Sequence, residues 1–337
     1  MDTLRSWRFP VGRHAGWMRS GYVLVTGGAG FIGSHLVERL LKAGESVVVI
    51  DDFSTGTPVN LAACVDHPGL TLRRGRVSSV PDLSGLAAGA KYIFHLAASV
   101  GVELVVKSPI YTIENNLRET EAILAAAVPS RTPLLLASTS EVYGKSSKEE
   151  FSEEDDLLIG SPTVGRWSYA CSKLTDEFLA MAYMRERHVP VTVVRLFNTV
   201  GPRQTGKYGM VLPRFVHAAL RHEPLRVYGD GTQTRCFCAV QDTVEALTRL
   251  AVCSQAVGEI INVGTRQVVS IAQLAQTVIE ALDSRSTLEF VPYEAAIGPG
   301  FADFMRRKPA LAKLERLVGF VPATPLAAII AGLAGKG

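Results

Sequence analysis

Between a short β-rich run, Tyr22–Thr26, and a stretch with apolar residues at helical spacing, Phe31–Lys42, the chain reads Thr26-Gly27-Gly28-Ala29-Gly30-Phe31-Ile32-Gly33. Glycines placed there allow a tight turn, close approach of backbone to a pyrophosphate, and close packing of helix on sheet. The helix N-terminus then presents free N–H groups to the anion. A glycine-rich turn by itself is weak evidence; set between a strand and a helix it points to dinucleotide binding. The helix carries Ile32, Leu36, Val37, Leu40 and Leu41 on one face, and Gly44 is placed to end it. Val47–Ile50 follows as a continuous apolar run of the kind found in strands buried on both faces. Asp51 closes that run, where a carboxylate binds the ribose hydroxyls of NAD. Asp52 adds negative charge and no arginine sits beside it, which disfavours the 2′-phosphate of NADP. NAD is therefore the expected cofactor, held by Gly27, Gly30, Phe31, Ile32, Gly33, Asp51 and Asp52.

The strand theme recurs at Tyr92–Leu96, Pro133–Ser138 and Val191–Phe197, with helical stretches near Ile113–Ala127 and Tyr169–Glu186 between them. Strands alternating with helices predict parallel strands joined by right-handed crossovers, hence an α/β, doubly wound Rossmann sheet. After Asn198 the character changes. Thr199–Thr234 is rich in Gly, Pro and Arg and reads as loops around one helix near Leu212–Arg221. A strand, Glu259–Val263, and a helix, Ile271–Leu282, are expected to return to the sheet, and the C-terminal segment supplies a short strand and terminal helices. The division that follows is an N-terminal extension (1–20), an NAD-binding domain (21–198, rejoined by 236–288) and a smaller discontinuous substrate lobe (199–235 and 289–337). No internal repeat is present, and no low-complexity tract beyond the Ala-rich C-terminus.

Bulk properties narrow the function classes. With 337 residues, 47% of them hydrophobic and 20% charged, the chain suits one large or two modest domains and not broad disorder. A net charge of +3 with no long basic run argues against a nucleic-acid partner. No apolar run approaches the roughly 18 residues of a membrane span. The first residues carry Arg5, Arg8, Arg13 and Arg19 without the apolar stretch of a signal peptide; they read as a loose extension, with Met18 a possible alternative start. Cys64, Cys171, Cys236, Cys238 and Cys253 form no CxxC pair and no metal-ligand spacing, so reduced thiols in a cytoplasmic protein without a metal are expected.

Tyr169 and Lys173 stand four apart on a predicted helix and emerge on one face. A nearby ammonium, together with a positive nicotinamide ring, would lower the phenol's pKa toward neutrality and suit it to take a proton from a sugar hydroxyl.

The chain from about Tyr22 to Pro322 resembles the extended short-chain dehydrogenases that act on nucleotide sugars: epimerases, 4,6-dehydratases and UDP-glucuronate decarboxylases. The segments that carry the resemblance are TGGAGFIGSHL, VVVIDDFSTG, FHLAA, STSEVYG, SYACSK, RLFNTVGPR, YGDGTQTRCF, INVG and RRKP. The FHLAA match adds Leu96 and Ala97 to the cofactor contacts, and treats His95 as a structural residue and not a base. The resemblance implies that Thr139 hydrogen-bonds the sugar 4-hydroxyl beside Tyr169 and Lys173. Ser140 stands where 4,6-dehydratases usually carry Asp, which argues against 4,6-dehydration; Thr139-Ser140-Glu141 is the decarboxylase pattern. Arg306-Arg307-Lys308-Pro309 resembles the decarboxylase Arg-Lys-Pro, giving Arg307 a place near the sugar carboxylate and in proton delivery, alongside Glu141. Arg166-Trp167 resembles a segment of the decarboxylase that serves lipid A modification. Arg235 matches a position that contacts the diphosphate, Asn198 another substrate position, and Arg203 and Lys207 are further candidates. Cys238 is a further candidate, as a reactive thiol. One departure concerns the third strand, which relatives follow with Gly-Asp-hydrophobic, the Asp reaching the adenine; this chain has Gly75-Arg76-Val77.

By this resemblance the leading expectation is NAD-dependent decarboxylation of UDP-glucuronate, through a transient 4-keto sugar, to UDP-xylose or its 4-keto precursor. A UDP-sugar or UDP-uronate 4-epimerase, a nucleotide-sugar or nucleoside dehydratase, and a non-catalytic sugar-nucleotide or redox sensor are the alternatives. The helices Ile113–Ala127 and Tyr169–Glu186 correspond to those that form a four-helix dimer interface in relatives, so a homodimer is implied.

Overall fold

The structure, a computed structural model, describes residues 20–101, 107–204, 210–292, 295 and 305–335. Of the positions singled out above, Arg5, Arg8, Arg13, Met18, Arg19 and Lys207 lie outside the described residues. The first half alternates strand and helix: β1 (Tyr22–Thr26), α1 (Phe31–Lys42), β2 (Val47–Asp51), β3 (Leu70–Arg74), α2 (Leu83–Gly89), β4 (Ala90–His95), α3 (Pro109–Ala127), β5 (Leu134–Thr139), α4 (Ser168–Arg187) and β6 (Val191–Leu196); all but β3 and α2 follow from the apolar pattern. Further on come β7 (Thr199–Val200), α5 (Val211–Leu220), β8 (Leu225–Tyr228), β9 (Thr234–Cys236), β10 (Cys238–Ala239), α6 (Val240–Val252) and β11 (Ile260–Val263). The chain closes with β12 (Val268–Ser270), α7 (Ile271–Leu282), β13 (Leu288–Val291), α8 (Ala312–Val318) and α9 (Leu326–Leu333).

Seven strands form one parallel sheet in the order β11-β6-β5-β4-β1-β2-β3. The chain runs outward from β1 through β2 to β3, then returns to β4 on the other side of β1 and continues through β5 and β6. The direction of winding reverses between β1 and β4, where Thr26 lies opposite both Ile50 and His95. In an open parallel sheet that reversal parts the loops at the strand carboxyl ends and leaves a ligand crevice there. The central strands are apolar throughout because both their faces are covered. On one face Leu36, Val37 and Leu40 of α1 pack with Val244, Leu247 and Leu250 of α6. On the other, Ala87, Ile123, Leu124 and Ala180 come from α2, α3 and α4. The edge strand β3 carries Arg73 and Arg74 exposed, charges that discourage pairing with another chain.

A separate apolar cluster joins Phe215 and Val216 of α5, Val227 of β8, Leu274 and Val278 of α7, and Ile329 and Ile330 of α9. This corrects one expectation. Of the 236–288 stretch expected to rejoin the sheet, α6 packs on it and β11 pairs with β6, whereas α7 turns its apolar face to α5 and α9. The amphipathic pattern of Ile271–Leu282 says that one face is buried, and is silent on which partner buries it.

Candidate active site

The turn between β1 and α1 is built as its glycines require. Gly27 has φ +71°, and a Cβ there would lie 2.8 Å from the backbone nitrogen of Ala97, at the end of β4. At Gly33 a Cβ would fall 2.1 Å from the carbonyl oxygen of Gly27. Gly30 is the N-cap of α1 and no side chain caps the helix there, which leaves its first N–H groups available to an anion. Asp51, buried at the end of β2, accepts the Ala29 N–H at 2.9 Å and the Phe53 N–H at 2.8 Å. Burial pushes its carboxyl up, against the pull of those two N–H groups. Gly27, Gly30, Phe31, Ile32, Gly33, Asp51, Asp52, Leu96 and Ala97 all line one cleft. A backbone cradle that a single Cβ would fill, with a carboxylate beyond it, fits the pyrophosphate and ribose of NAD.

The structure corrects the statement that no arginine stands beside Asp52. Arg76, from the end of β3, brings its Nε to 3.5 Å from the Asp52 carboxylate and lines the same cleft. Because β2 and β3 are paired in parallel, their carboxyl ends lie side by side, a proximity invisible in the linear chain.

The other half of the cleft is lined by Thr139 at the end of β5, Ser140 and Glu141 in the 3₁₀ turn Ser140–Tyr143, Tyr169 in the first turn of α4, Asn198 just past β6, and Arg307. Below them Ser138 donates to Glu177 at 2.5 Å, and Arg195 grips the same carboxylate, so β5, α4 and β6 are locked together. Arg307 reaches the cleft because its segment is strapped to the sheet. Phe151 donates its N–H to Lys308 at 2.8 Å and accepts that of Ala310 at 2.9 Å, while Asn262 of β11 donates to Phe151 at 2.9 Å and accepts the Tyr143 hydroxyl at 2.8 Å.

Two electrostatic features decide the chemistry. Arg166 grips Glu141 through both nitrogens, at 2.6 and 3.2 Å, and Arg307 adds a third contact at 3.4 Å. Burial would raise the Glu141 carboxyl, but these guanidinium groups outweigh it and hold the group below the usual carboxylate range. Lys173 does not line the cleft. It is 2% exposed and its Nζ lies 2.8 Å from the carboxylate of Asp176, itself 0% exposed. The Tyr169 phenol is accordingly pushed up, by burial first and then by Glu141 and Asp176, with the Thr139 hydroxyl and Arg166 pulling the other way. The lowering read from the Tyr-Lys spacing is not what the protein alone produces, since burial raises the phenol most and the carboxylates of Glu141 and Asp176 add to that rise.

Other candidates lie elsewhere. Arg235, on β9, donates to the Thr234 carbonyl and is not among the residues lining the cleft. Arg203 pairs with Glu38 of α1. His95 is buried between Thr26 and Thr120, at 2.8 and 3.3 Å, and burial and the Lys173 charge push it down to about 3, so it is a neutral structural residue. Cys238 is buried and its thiol is pushed up to about 12, which makes it a packing residue. Reasoning from sequence missed Asn115 and Glu119, which line the cleft, and Asn116, which accepts the Ser99 N–H at 2.7 Å and donates to Ser172 at 3.1 Å. Adjacent asparagines inside a helix, where the amide is unfavourable without a partner, were the available signal.

Residues 23–264 match the profile of the NAD dependent epimerase/dehydratase family. The chain is 42% identical over 307 residues to a UDP-N-acetyl-alpha-D-glucosaminuronate decarboxylase of Bacillus cytotoxicus, covering 89% of this chain and 92% of that protein. It is 37% identical to UDP-glucuronic acid decarboxylase 4 of Arabidopsis thaliana, over 90% of this chain and 66% of the plant protein, so it spans about two thirds of that relative. Among solved structures it is similar to a UDP-glucuronic acid 4-epimerase from Bacillus cereus in complex with UDP-glucuronic acid and NAD. There the TM-score is 0.83 at 27% identity, over 94% of this chain and 98% of that one. A dTDP-glucose 4,6-dehydratase from Bacillus anthracis in complex with NAD gives a TM-score of 0.81 at 25% identity, over 94% and 96%. With a glycine cradle, a ribose-side carboxylate and a tyrosine meeting in one cleft, and the family profile matching across them, the chain belongs to the NAD dependent epimerase/dehydratase family and is an NAD-dependent enzyme.

Proposed function

We propose that the protein decarboxylates a UDP-linked uronic acid, with UDP-glucuronate as the leading substrate, giving UDP-xylose or its 4-keto precursor. The observation that carries this reading is the arginine pair: Arg166 and Arg307 converge on Glu141 at the cleft that holds Thr139 and Tyr169. Arg307 lines that cleft, and a guanidinium there suits a substrate that bears a carboxylate, while the buried Arg166 holds Glu141 in place. The names of the decarboxylase relatives support the same reading.

Bound NAD would accept the hydride from the sugar C4 and return it where UDP-xylose is the product; release of the 4-keto precursor would leave the cofactor reduced. Tyr169 takes the C4 hydroxyl proton, and Thr139 holds that hydroxyl in line. Once C4 is a ketone, the C6 carboxylate is β to a carbonyl. The C5–C6 bond breaks, carbon dioxide leaves, and the electron pair passes into the C4–C5 enolate. A proton then adds to C5. Glu141, held as a carboxylate, orients Arg166 and Arg307 and is a poor proton donor itself; a proton delivered from solvent past Arg307 is the better source. Ser140 and Asn198 complete substrate binding in this reading, and Lys173 supports Tyr169 from below.

A 2-acetamido uronate is the second substrate to offer, because the relative at 42% identity carries that name. The test incubates purified protein and NAD with UDP-glucuronate and, separately, with UDP-N-acetylglucosaminuronate, following products by NMR. Loss of the carboxylate with a UDP-pentose signal is expected, and Tyr169→Phe should reduce it by about 10²–10⁴-fold. UDP-galacturonate formed with no carbon dioxide would replace this reading with 4-epimerisation.

A homodimer is part of the proposal. The packed pair α3 and α4 leaves Ile110, Ile113 and Phe178 exposed, an apolar face suited to a second copy of the same pair. A cytoplasmic setting is in keeping with five cysteines that are all free thiols; no helix among the described residues is long and apolar enough to cross a membrane.

A further inference from the structure

The adenosine end of the cleft lies past Asp51, where Gly75, Arg76 and Val77 follow β3. An arginine at this position usually raises the expectation of a 2′-phosphate. Here its surroundings point elsewhere. Arg76 is anchored from two elements. Its Nε faces the Asp52 carboxylate at 3.5 Å, and Nη2 donates to the Tyr111 hydroxyl of α3 at 3.4 Å, with the guanidinium 5.5 Å from the centre of that ring. Its charge is shared with Asp52, and Asp51 stands behind, so a phosphate dianion would meet two carboxylates for one guanidinium.

The acidic side chains at this end are engaged as well. Asp51 accepts from Ala29 and Phe53, Asp52 from Ser54 at 2.9 Å, and Glu119 from the N–H and hydroxyl of Ser78 at 3.0 and 2.5 Å. What the end of the cleft offers a base is the flat guanidinium of Arg76. Arginine stacks on planar π systems through that plane, an interaction that lysine's point charge does not reproduce.

We propose that Arg76 reads the adenine of NAD by its face, as a stacking surface, and that the 6-amino group of the base is not selected by a carboxylate. The inference concerns cofactor binding and does not depend on which sugar is turned over.

Calorimetry on the full-length protein stripped of cofactor tests it with NAD, nicotinamide hypoxanthine dinucleotide and NADP. The hypoxanthine analogue, which carries an oxo group in place of the 6-amino group, should bind within about threefold of NAD. Arg76→Ala should weaken both by about tenfold, and Arg76→Lys, which keeps the charge and loses the plane, should stay close to the alanine variant. NADP should bind roughly a hundredfold more weakly than NAD. Arg76 lies on the surface, so these variants are expected to fold, and unchanged circular dichroism checks that. An analogue bound thirtyfold or more below NAD, full rescue by lysine, an alanine variant with unaltered affinity, or NADP bound as tightly as NAD would each overturn the proposal.

Discussion

The Glu141 carboxylate lies between two guanidinium groups, with Arg166 at 2.6 Å and Arg307 at 3.4 Å. As Thr-Ser-Glu at a strand end it reads as an acid for proton delivery; in the fold it is an anion clamped by Arg166 and Arg307. Glu141→Gln removes the countercharge from two nearly buried guanidinium groups. It should destabilise the protein by ~3–5 kcal/mol at neutral pH, read by thermal or denaturant unfolding. The pH dependence has a definite sign. A carboxyl held below its ordinary value contributes stability that is complete above the unfolded pKa, about 4.3, and is lost as pH falls through the folded value. The gap between wild type and Glu141→Gln should therefore be widest at neutral pH and close in acid. A gap that stays constant from pH 7 down to pH 3 would contradict the ionised assignment. Asp176 makes the same point about Lys173. The spacing puts the lysine on the tyrosine's face of the helix, and Asp176, three residues further along, pairs with it.

At the level of elements, the strands and helices with a strong apolar period are legible in the sequence because that period repeats at short range, whereas the largely exposed β3 and the short α2 carry no such signal. The continuous apolar runs became β1, β2, β4, β5 and β6, and the glycine turn sits between β1 and α1 as its composition requires. That turn gives a sharp prediction. At Gly33 the obstacle to a Cβ is the Gly27 carbonyl, backbone that cannot swing aside. Gly33→Ala should weaken NAD binding by at least about tenfold, or leave the protein unable to retain it, in a fluorescence titration. Near-wild-type affinity would mean that α1 can shift without disturbing the cradle. The 3₁₀ turn after β5 and the strap that carries Arg307 were not legible. Both depend on contacts such as Asn262 with Phe151, made between segments far apart in the chain.

Across the whole molecule, the reversal between β1 and β4 gathers strand ends from both halves of the sheet into one cleft, while α5, α7 and α9 close a second core. The outer face of α3 and α4 is left with Phe178 67% exposed and Ile110 72% exposed. If two copies meet there, Ile110→Glu with Phe178→Glu should halve the mass measured by light scattering, since burying unpaired carboxylates opposes association. A wild-type mass that is already monomeric would remove the dimer from the proposal. What the sequence by itself determined is whatever neighbours a few residues apart can encode: the strand and helix periods, the glycine turn, the Asp at the end of β2, and the spacing of Tyr169 and Lys173. Only the tertiary structure decided which charges meet, putting Arg166 and Arg307 on Glu141 and Arg76 on Asp52, and which core α7 joins. Charge pairing depends on distance in space, and a periodic pattern along the chain carries no record of that distance.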